Sequence, residues 1–187
     1  MKHQLLGLAL ATALAIPVSA HAVEYTTVQK DKSRIDFTYK QMGVAVDGKF
    51  RRFSSTLSFD PAKPTAAKAS FDVELASVDT GAPEGDQEVV GKPWFNAAAF
   101  PTARFVSGAV KPLGGNRYEV AGELSIKGKT QPVVVPATFT AQGNSGVFEG
   151  SFTLRRADFS IGEGSWAKFD IVANDVVVKF RITANSK

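Results

Sequence analysis

The feature that most constrains the fold is a two-residue period in hydrophobicity, which runs through most of the chain after residue 33. Between Tyr118 and Ile126, apolar side chains occupy every second position except Gly122, and Glu119 and Glu123 lie between them. The same alternation recurs in the segments 34–39, 57–59, 69–75, 103–105, 133–139, 148–154 and 176–182. Because successive side chains of a β-strand point to opposite faces, this pattern predicts half-buried strands.

Glycine, asparagine and proline separate these segments at points where an antiparallel chain turns. The turn signals lie at 47–48, 61–64, 111–116, 127–129 and 142–146. Short loops that contain Gly and Asn favour tight connections between antiparallel neighbours. One short helix is predicted near residues 83–90, because Pro83 is followed by the acidic residues Glu84 and Asp86, a combination typical of a helix N-terminus.

About eight consecutive strands without a βαβ pattern predict an all-β chain, either a sandwich or a single antiparallel up-and-down barrel. An eight-stranded barrel has an interior that side chains fill or that holds one small ligand. Alternation alone leaves open whether the apolar face points inward or outward to lipid. An outward apolar face would crowd Glu119, Glu123, Lys179 and Arg181 into a narrow lumen, and few Trp and Tyr residues are present for the aromatic girdles of a membrane barrel. We therefore expect the apolar face to point inward.

The N-terminus predicts export. Lys2 and His3 precede an apolar run from Leu5 to Ile16, which is followed by Ala20-His21-Ala22. A basic start, an apolar run of this length and an A-x-A exit are typical of a secretory signal peptide. The run is shorter than the ~20 residues that a transmembrane helix needs, which disfavours a membrane anchor. We expect a signal peptide over residues 1–22, cleavage after Ala22, a periplasmic location and one domain over residues 23–187.

The absence of cysteine and the positions of the histidines restrict the chemistry. The chain has no Cys, and both histidines, His3 and His21, lie within the predicted signal peptide. Thiol and imidazole catalysis and ordinary zinc or copper sites are therefore excluded from residues 23–187. Glu84, Asp86 and Glu88 match no calcium-binding loop, and the charges, at a net +4, form no basic stripe for nucleic acid. We expect no enzyme activity, no metal, no cofactor and no nucleic-acid partner.

Several motifs, in their order and spacing, resemble the YceI-like family, whose members are exported, lipocalin-like barrels that bind polyisoprenoid lipids. The resemblance runs from about Tyr25 to Ala184. The matching stretches are 33–37 (SRIDF), 48–50 (GKF), 54–60 (SSTLSFD), 77–80 (SVDT), 94–96 (WFN), 100–105 (FPTARF), 122–130 (GELSIKGKT) and 156–159 (RADF), with Trp166 shortly after. The chain departs from the family pattern at 40–44, at 84–89 and at Ser160. The resemblance thus implies a barrel but no particular lipid headgroup.

The phenylalanine content, 14 residues, supplies either a plain core or the walls of a tunnel. Rigid rings suit a preformed apolar cavity. From the alternation we expect eight side chains to point into the barrel: Phe37, Tyr39, Phe71, Val73, Phe105, Leu124, Phe139 and Phe152. The predicted ligand-binding residues are these eight together with Trp94, Phe95, Arg156 and Trp166.

Two of these predictions carry alternatives. Arg156 and Asp158 form either a headgroup contact or a local ion pair that braces a strand turn. Trp94 and Phe95 follow Pro93, in a segment that cannot continue a regular ladder. The two rings either plug one end of the barrel or anchor this loop to the core.

The leading functional hypothesis is a periplasmic carrier that holds an isoprenoid lipid, either a polyprenyl chain or an isoprenoid quinone, inside the barrel. The alternative is a packed β-barrel that acts in the envelope as a protein-interaction or stress-related module without a ligand. A lipid carrier is also expected to contact the membrane surface transiently. The sequence leaves the oligomeric state open.

Overall fold

In a computed structural model, which describes residues 23–187, the chain forms one eleven-stranded sheet and a single α-helix. The strands are β1 (Tyr25–Val28), β2 (Arg34–Gln41), β3 (Val44–Phe50), β4 (Phe53–Ser58), β5 (Lys68–Glu74), β6 (Val78–Asp79), β7 (Thr102–Gly114), β8 (Arg117–Ile126), β9 (Lys129–Gln142), β10 (Ser145–Arg155) and β11 (Asp175–Ser186). The helix α1 spans Pro83–Val89, and short 3-10 turns lie at Lys30–Lys32, Pro64–Ala66, Leu75–Ser77, Arg156–Phe159 and Gly164–Trp166. The predicted signal peptide, residues 1–22, lies outside the described residues.

Neighbouring strands of the sheet are antiparallel, in the order β4-β5-β7-β8-β9-β10-β11-β2-β3-β6. The long strands β7 to β11 form a meander, and β11 pairs with β2, so that the end of the chain returns to its beginning. β1 also pairs with β11, and its Tyr25 exchanges backbone hydrogen bonds of 2.8 and 3.1 Å with Phe59, just after β4. This bridge holds the sheet in a curled, barrel-like form.

The predicted all-β, lipocalin-like architecture with one short helix is confirmed. The predicted count of about eight strands is too low by three. β1 and β6 are too short to display an alternating pattern, and β3 was missed because a turn was predicted within it. The predicted turn at Asp47-Gly48 is wrong, since both residues lie inside β3 and pair with β2. The chain turns instead at Met42 and Gly43, whose φ angles are 51° and 82°.

The apolar face of the sheet points inward. On β11, Val176, Val178 and Phe180 border the interior, whereas Lys179 is exposed. Most of the buried apolar side chains form two clusters at opposite ends of the barrel. The capped-end cluster consists of Leu75, Trp94, Ala103, Leu124, Ile126, Phe159, Ile161 and Val172. The aromatic-end cluster consists of Tyr25, Phe59, Ala67, Tyr118, Phe139 and Ala184.

The single helix of the described chain is short and polar. Within residues 23–187, no helix has both the length and the apolar character needed to cross a bilayer. The helix begins at Pro83 without a side-chain cap, and Glu84 and Asp86 lie in its first turn. Carboxylates in that position complement the positive end of the helix dipole. Glu84 and Asp86 therefore lie at the helix N-terminus, as the sequence predicts.

Glycines in the strands lie beneath aromatic rings of the inner face. A Cβ atom at Gly150 would meet the backbone oxygen of Pro136 and would lie 2.6 Å from Cζ of Phe180. A glycine at such a position lets the ring occupy the space above the strand and accommodates a tight curl of the sheet. Three further glycines meet the rings of Phe37, Phe105 and Phe139 in the same way, namely Gly48, Gly122 and Gly146.

We expect Gly150→Ala to lower the free energy of unfolding by about 1–3 kcal/mol, because the added methyl group overpacks a backbone oxygen and the Phe180 ring. Gly108→Ala is the matched control, since its Cβ would lie 3.6 Å from the Ala121 oxygen, an ordinary contact. The control should change stability by no more than about 0.5 kcal/mol. Denaturant melts of both variants test this account, and similar losses in the two would contradict it.

Candidate functional site

The barrel encloses a cavity of about 360 Å3 between the two clusters. Trp94 and Ile161 line it at the capped end, and Phe59 and Tyr118 line it at the aromatic end. Its wall is almost entirely apolar, as in most pockets for small organic ligands, which have volumes of about 300–1,000 Å3. The barrel is therefore not packed solid by its own side chains.

Aromatic rings close one end of this cavity. The ring centroid of Phe59 lies 4.9 Å from that of Phe139, 5.0 Å from that of Phe148 and 5.4 Å from that of Tyr118. Tyr25 lies 5.1 Å from Phe139. Tilted and edge-to-face pairs of this kind contribute about 0.5–1.5 kcal/mol each beyond area burial. Burial also raises the pKa of Tyr118, because the phenolate form is disfavoured away from water.

Three segments outside the sheet cover the other end of the cavity: α1, residues 90–101 and residues 156–174. The backbone N–H groups of Gly162 and Glu163 both donate to the Pro93 oxygen, at 2.8 Å. Nε1 of Trp166 donates to Oε1 of Glu88 in α1, at 2.9 Å. We call these three segments the cap. The hydrogen bonds join residues 156–174 both to residues 90–101 and to α1, although these segments are distant in sequence.

Arg156 organises the cap from within. Its side chain is fully buried, and its guanidinium donates to six backbone carbonyl oxygens at 2.8–3.2 Å, those of Ile161, Gly162, Trp166, Lys168, Val172 and Ala173. The guanidinium carbon also lies over the rings of Trp94 and Phe169, 5.3 and 5.0 Å from their centroids. All three guanidinium nitrogens are thus engaged by the cap.

The charge of Arg156 is balanced by carbonyl dipoles rather than by a carboxylate. Removal from water lowers the pKa of Arg156 from its ordinary value. Of the two alternatives predicted for Arg156 and Asp158, the local ion pair between them is wrong, and a headgroup contact stays a prediction. Asp158 accepts hydrogen bonds from the exposed Arg155, with an ion-pair distance of 2.8 Å, and this contact lowers the pKa of Asp158. Gly162 leaves the space for the guanidinium, because a Cβ there would lie 2.9 Å from its central carbon.

The predicted ligand-binding residues line the cavity, with the exception of Phe139. Phe139 lies in the aromatic-end cluster and closes that end from behind Phe59 and Phe148. Trp94 belongs to the capped-end cluster and Phe95 packs against it, so both rings are anchored and both border the cavity. Contact of these residues with a ligand stays a prediction.

Part of the cavity wall was missed by the sequence patterns. Phe50 lines the cavity, and its ring lies 5.3 Å from Phe37 and 6.2 Å from Phe95. Phe50 is the last residue of β3, and it was missed because the sequence predicted a turn at 47–48 instead of a strand. Val78 also lines the cavity, but it lies in the two-residue strand β6, where no alternation is visible.

Several charged groups on the outer surface of the described barrel form ion pairs. A polar groove lies on the outside of the barrel beside β3 and β4, where Arg52 pairs with Glu74 at 2.6 Å and Arg51 pairs with Asp79 at 2.8 Å. Within residues 23–187, no group of three His, Cys, Asp or Glu side chains is close enough to hold a metal ion. Neither feature adds a reactive centre to the cavity.

Exposed apolar side chains surround the β2–β3 turn at the capped end. Met42 is 76% exposed and Val44 66% exposed, and Phe169 and Ile171 nearby are also exposed. The Met42 N–H donates to the Ile171 oxygen at 2.7 Å, which joins the two segments into one surface. We call these four residues the tip patch. It is continuous with the cavity wall, because the neighbouring residues Gln41 and Val172 form an isolated β-bridge and both line the cavity.

We expect Arg156→Met to lower the free energy of unfolding by more than about 3 kcal/mol, because several buried carbonyl groups would lose their donors at once. Arg155→Met is the matched control. The Arg155 side chain is exposed and makes only a surface ion pair with Asp158, and such pairs contribute little to stability. Denaturant melts of the two variants provide the measurement. Equal stability of the two variants would show that the cap does not depend on the buried guanidinium.

Comparison with known proteins agrees with this architecture. A family model described as a YceI-like domain matches residues 26–184. A UPF0312 protein of Pseudomonas savastanoi pv. phaseolicola (strain 1448A / Race 6) is 35% identical over 169 residues, covering 86% of this chain and 88% of that protein. The crystal structure of Burkholderia cenocepacia BcnA has a TM-score of 0.83 and 40% sequence identity, covering 84% of this chain and 99% of that chain.

A more distant structure shares the fold alone. It is a polyisoprenoid binding domain from Saccharophagus degradans, implicated in plant cell wall breakdown, with a TM-score of 0.67 and 15% sequence identity over 89% of this chain and 99% of that chain. The resemblance seen in the sequence motifs is confirmed by the family match and by the curled, cavity-bearing sheet. The chain belongs to the YceI-like domain family.

Proposed function

We propose that this protein is an exported carrier that holds an isoprenoid lipid, either a polyprenyl chain or an isoprenoid quinone, in the cavity of its barrel. The observation that carries the proposal is the apolar cavity of about 360 Å3 at the centre of the fold. Membership of the YceI-like family and the fold shared with a polyisoprenoid binding domain support it. The proposal that the protein is exported rests on the predicted signal peptide over residues 1–22.

The cavity favours a long, flexible, apolar ligand. Each buried CH2-like carbon contributes roughly 0.8 kcal/mol before the costs of association are subtracted. Because the aromatic end is closed by rings and the capped end borders α1 and the tip patch, the tail of the ligand points toward Phe59 and its head toward Trp94. This orientation places the polar part of an amphiphile at the end where most of the polar lining groups lie, among them Gln41, Thr80 and Glu88.

Binding accounts for the cavity better than catalysis does. Its charged lining residues are Lys68, Glu88 and Arg156, and Arg156 is engaged by six carbonyl groups. Residues 23–187 contain neither Cys nor His, so the usual nucleophile and base pairs are missing. The alternative of a ligand-free interaction module requires a packed interior, and the cavity counts against it.

We expect Ala137→Phe to weaken binding of a short-chain ubiquinone and of a polyprenol by about tenfold or more, because Ala137 lines the cavity and a ring there would displace the tail. Thr138→Phe is the matched control. Thr138 is exposed on the outer face, so this substitution adds a ring outside the cavity. Equilibrium binding to the delipidated protein measures both. Equal affinities for the two variants, or no binding by the parent protein, would contradict the proposal.

The tip patch supplies a site for transient contact with the membrane. It lies beside the cavity wall, and the exposed Lys40 and Lys168 adjoin it in sequence, against one exposed carboxylate, that of Asp170. Apolar insertion and a net attraction to anionic headgroups therefore act at the same place. A carrier that exchanges lipid there would not expose its cargo to water. We therefore assign the membrane surface as the partner of this patch.

We expect the double substitution Met42→Ser with Val44→Ser to slow transfer of a quinone from phosphatidylglycerol-containing vesicles several-fold while leaving its equilibrium affinity unchanged. Leu113→Ser is the control, because Leu113 is 44% exposed near the end of β7, at the aromatic end of the barrel. Transfer rates in low and high salt measure the apolar and electrostatic contributions. Unchanged transfer by the double variant would exclude the tip patch as the contact surface.

A further inference from the structure

The aromatic end of the cavity is a wall of packed side chains. Phe59 and Ala67, the first and last residues of the β4–β5 connection, are 4% and 9% exposed, and both line the cavity. Between them, the 3-10 turn Pro64–Ala66 packs against β7. The connection therefore crosses the end of the barrel and closes it.

Phe59 is held in this wall through its backbone and through its ring. Its backbone exchanges hydrogen bonds of 2.8 and 3.1 Å with Tyr25 of β1. The centroid of its ring lies 4.9 to 5.4 Å from those of Phe139, Phe148 and Tyr118. Because side chains packed in this way resist the insertion of further atoms, a ligand tail that reaches Phe59 stops there.

Phe139 lies behind Phe59 rather than beside the cavity. It is 4% exposed, as Phe59 is, and it belongs to the same cluster, but it does not border the cavity. Gly146 lies beneath the Phe139 ring and beneath that of Tyr25, which leaves room for this second layer of rings. Of the two equally buried phenylalanines, only Phe59 is placed to meet a ligand.

The chemistry of this end of the cavity suits an apolar tail. The nearby Ser107 hydroxyl lines the cavity but already accepts the backbone N–H of Ala69 at 2.8 Å, and Lys68 is exposed, so its ammonium group can stay in water. The exposed residues Gln41 and Glu88 line the cavity at the capped end. Since a polar headgroup buried without partners is costly, the tail and not the head meets the aromatic wall.

We infer that Phe59 is the stop that limits the length of the enclosed isoprenoid tail, so that affinity rises with each isoprene unit only until the tail reaches this ring. An enclosed unit loses its apolar contact with water, whereas a unit beyond the stop remains outside the cavity and gains little. The inference rests on the proposed lipid-carrier function. It adds the residue that determines which tails the cavity encloses.

The test measures dissociation constants of the delipidated protein for isoprenoid alcohols that differ by single isoprene units, from geraniol through farnesol and geranylgeraniol to longer members. Competition against one fluorescent isoprenoid, with each alcohol below the concentration at which it aggregates, places all values on one scale. Affinity of the parent protein should rise by about tenfold or more for each added unit and by less than about threefold beyond a limiting length.

Phe59→Ala removes a ring with about as many carbon atoms as an isoprene unit, so the limiting length should increase by about one unit. Phe59→Leu removes less of the core and should strengthen binding of the first tail beyond the parent's limit by about threefold or more, which keeps the test valid if the alanine variant does not fold. Ala67→Leu enlarges the same wall and should shorten the limit. Phe139→Ala is the matched control, because it truncates an equally buried ring that does not border the cavity, and its limit should equal that of the parent.

Three results would overturn the inference while leaving lipid binding intact. They are an unchanged limit in the Phe59 variants or in Ala67→Leu, a limit that moves as far in Phe139→Ala as in Phe59→Ala, and an affinity of the parent protein that rises through the whole series. Failure of every alcohol to bind the parent protein would instead overturn the proposed function.

Discussion

The buried guanidinium of Arg156 is the interaction on which the capped end of the barrel depends. Residues 156–174 form no regular ladder, and their carbonyl groups converge on one side chain that supplies donors in several directions. An arginine is suited to this role because its planar group carries five N–H donors in a fixed geometry and remains charged when buried. The opposite end of the barrel needs no such centre, since rings close it by contact alone.

The two kinds of closure explain how an open interior survives between them. A protein core normally reaches close packing, and an unfilled apolar space forfeits dispersion contacts along its whole wall. Here the sheet is curled and bridged at Tyr25 and Phe59, and the cap is cross-linked by hydrogen bonds, so the wall cannot collapse inward to fill the gap. A long apolar ligand would restore the missing contacts, so the proposed binding function follows from the same physical arrangement as the fold.

Much of the fold was predictable from the sequence because alternation is a direct consequence of strand geometry. Val176, Val178 and Phe180 face the cavity as their pattern requires, and the helix begins at Pro83. The prediction failed where local chemistry was read without its tertiary context. Asp47-Gly48 has the composition of a turn, but Gly48 lies under the Phe37 ring, where only a glycine fits.

The polar part of the site was less predictable for a related reason. Arg155 and Arg156 are adjacent and chemically identical in sequence, yet one lies on the surface with Asp158 and the other is buried among carbonyl groups. No sequence pattern predicts that a side chain will hydrogen-bond to backbone carbonyl groups. The indole N–H of Trp94 has no hydrogen-bond partner within the described residues. This too can be recognised only from the positions of the surrounding atoms.

The central claim, that the barrel is built around a lipid, is tested most directly by native mass spectrometry of the protein purified from cells that export it. The account predicts a complex heavier than the bare chain, from which organic extraction releases an isoprenoid that fragmentation identifies. A bare chain before extraction, with no lipid in the extract, would contradict it.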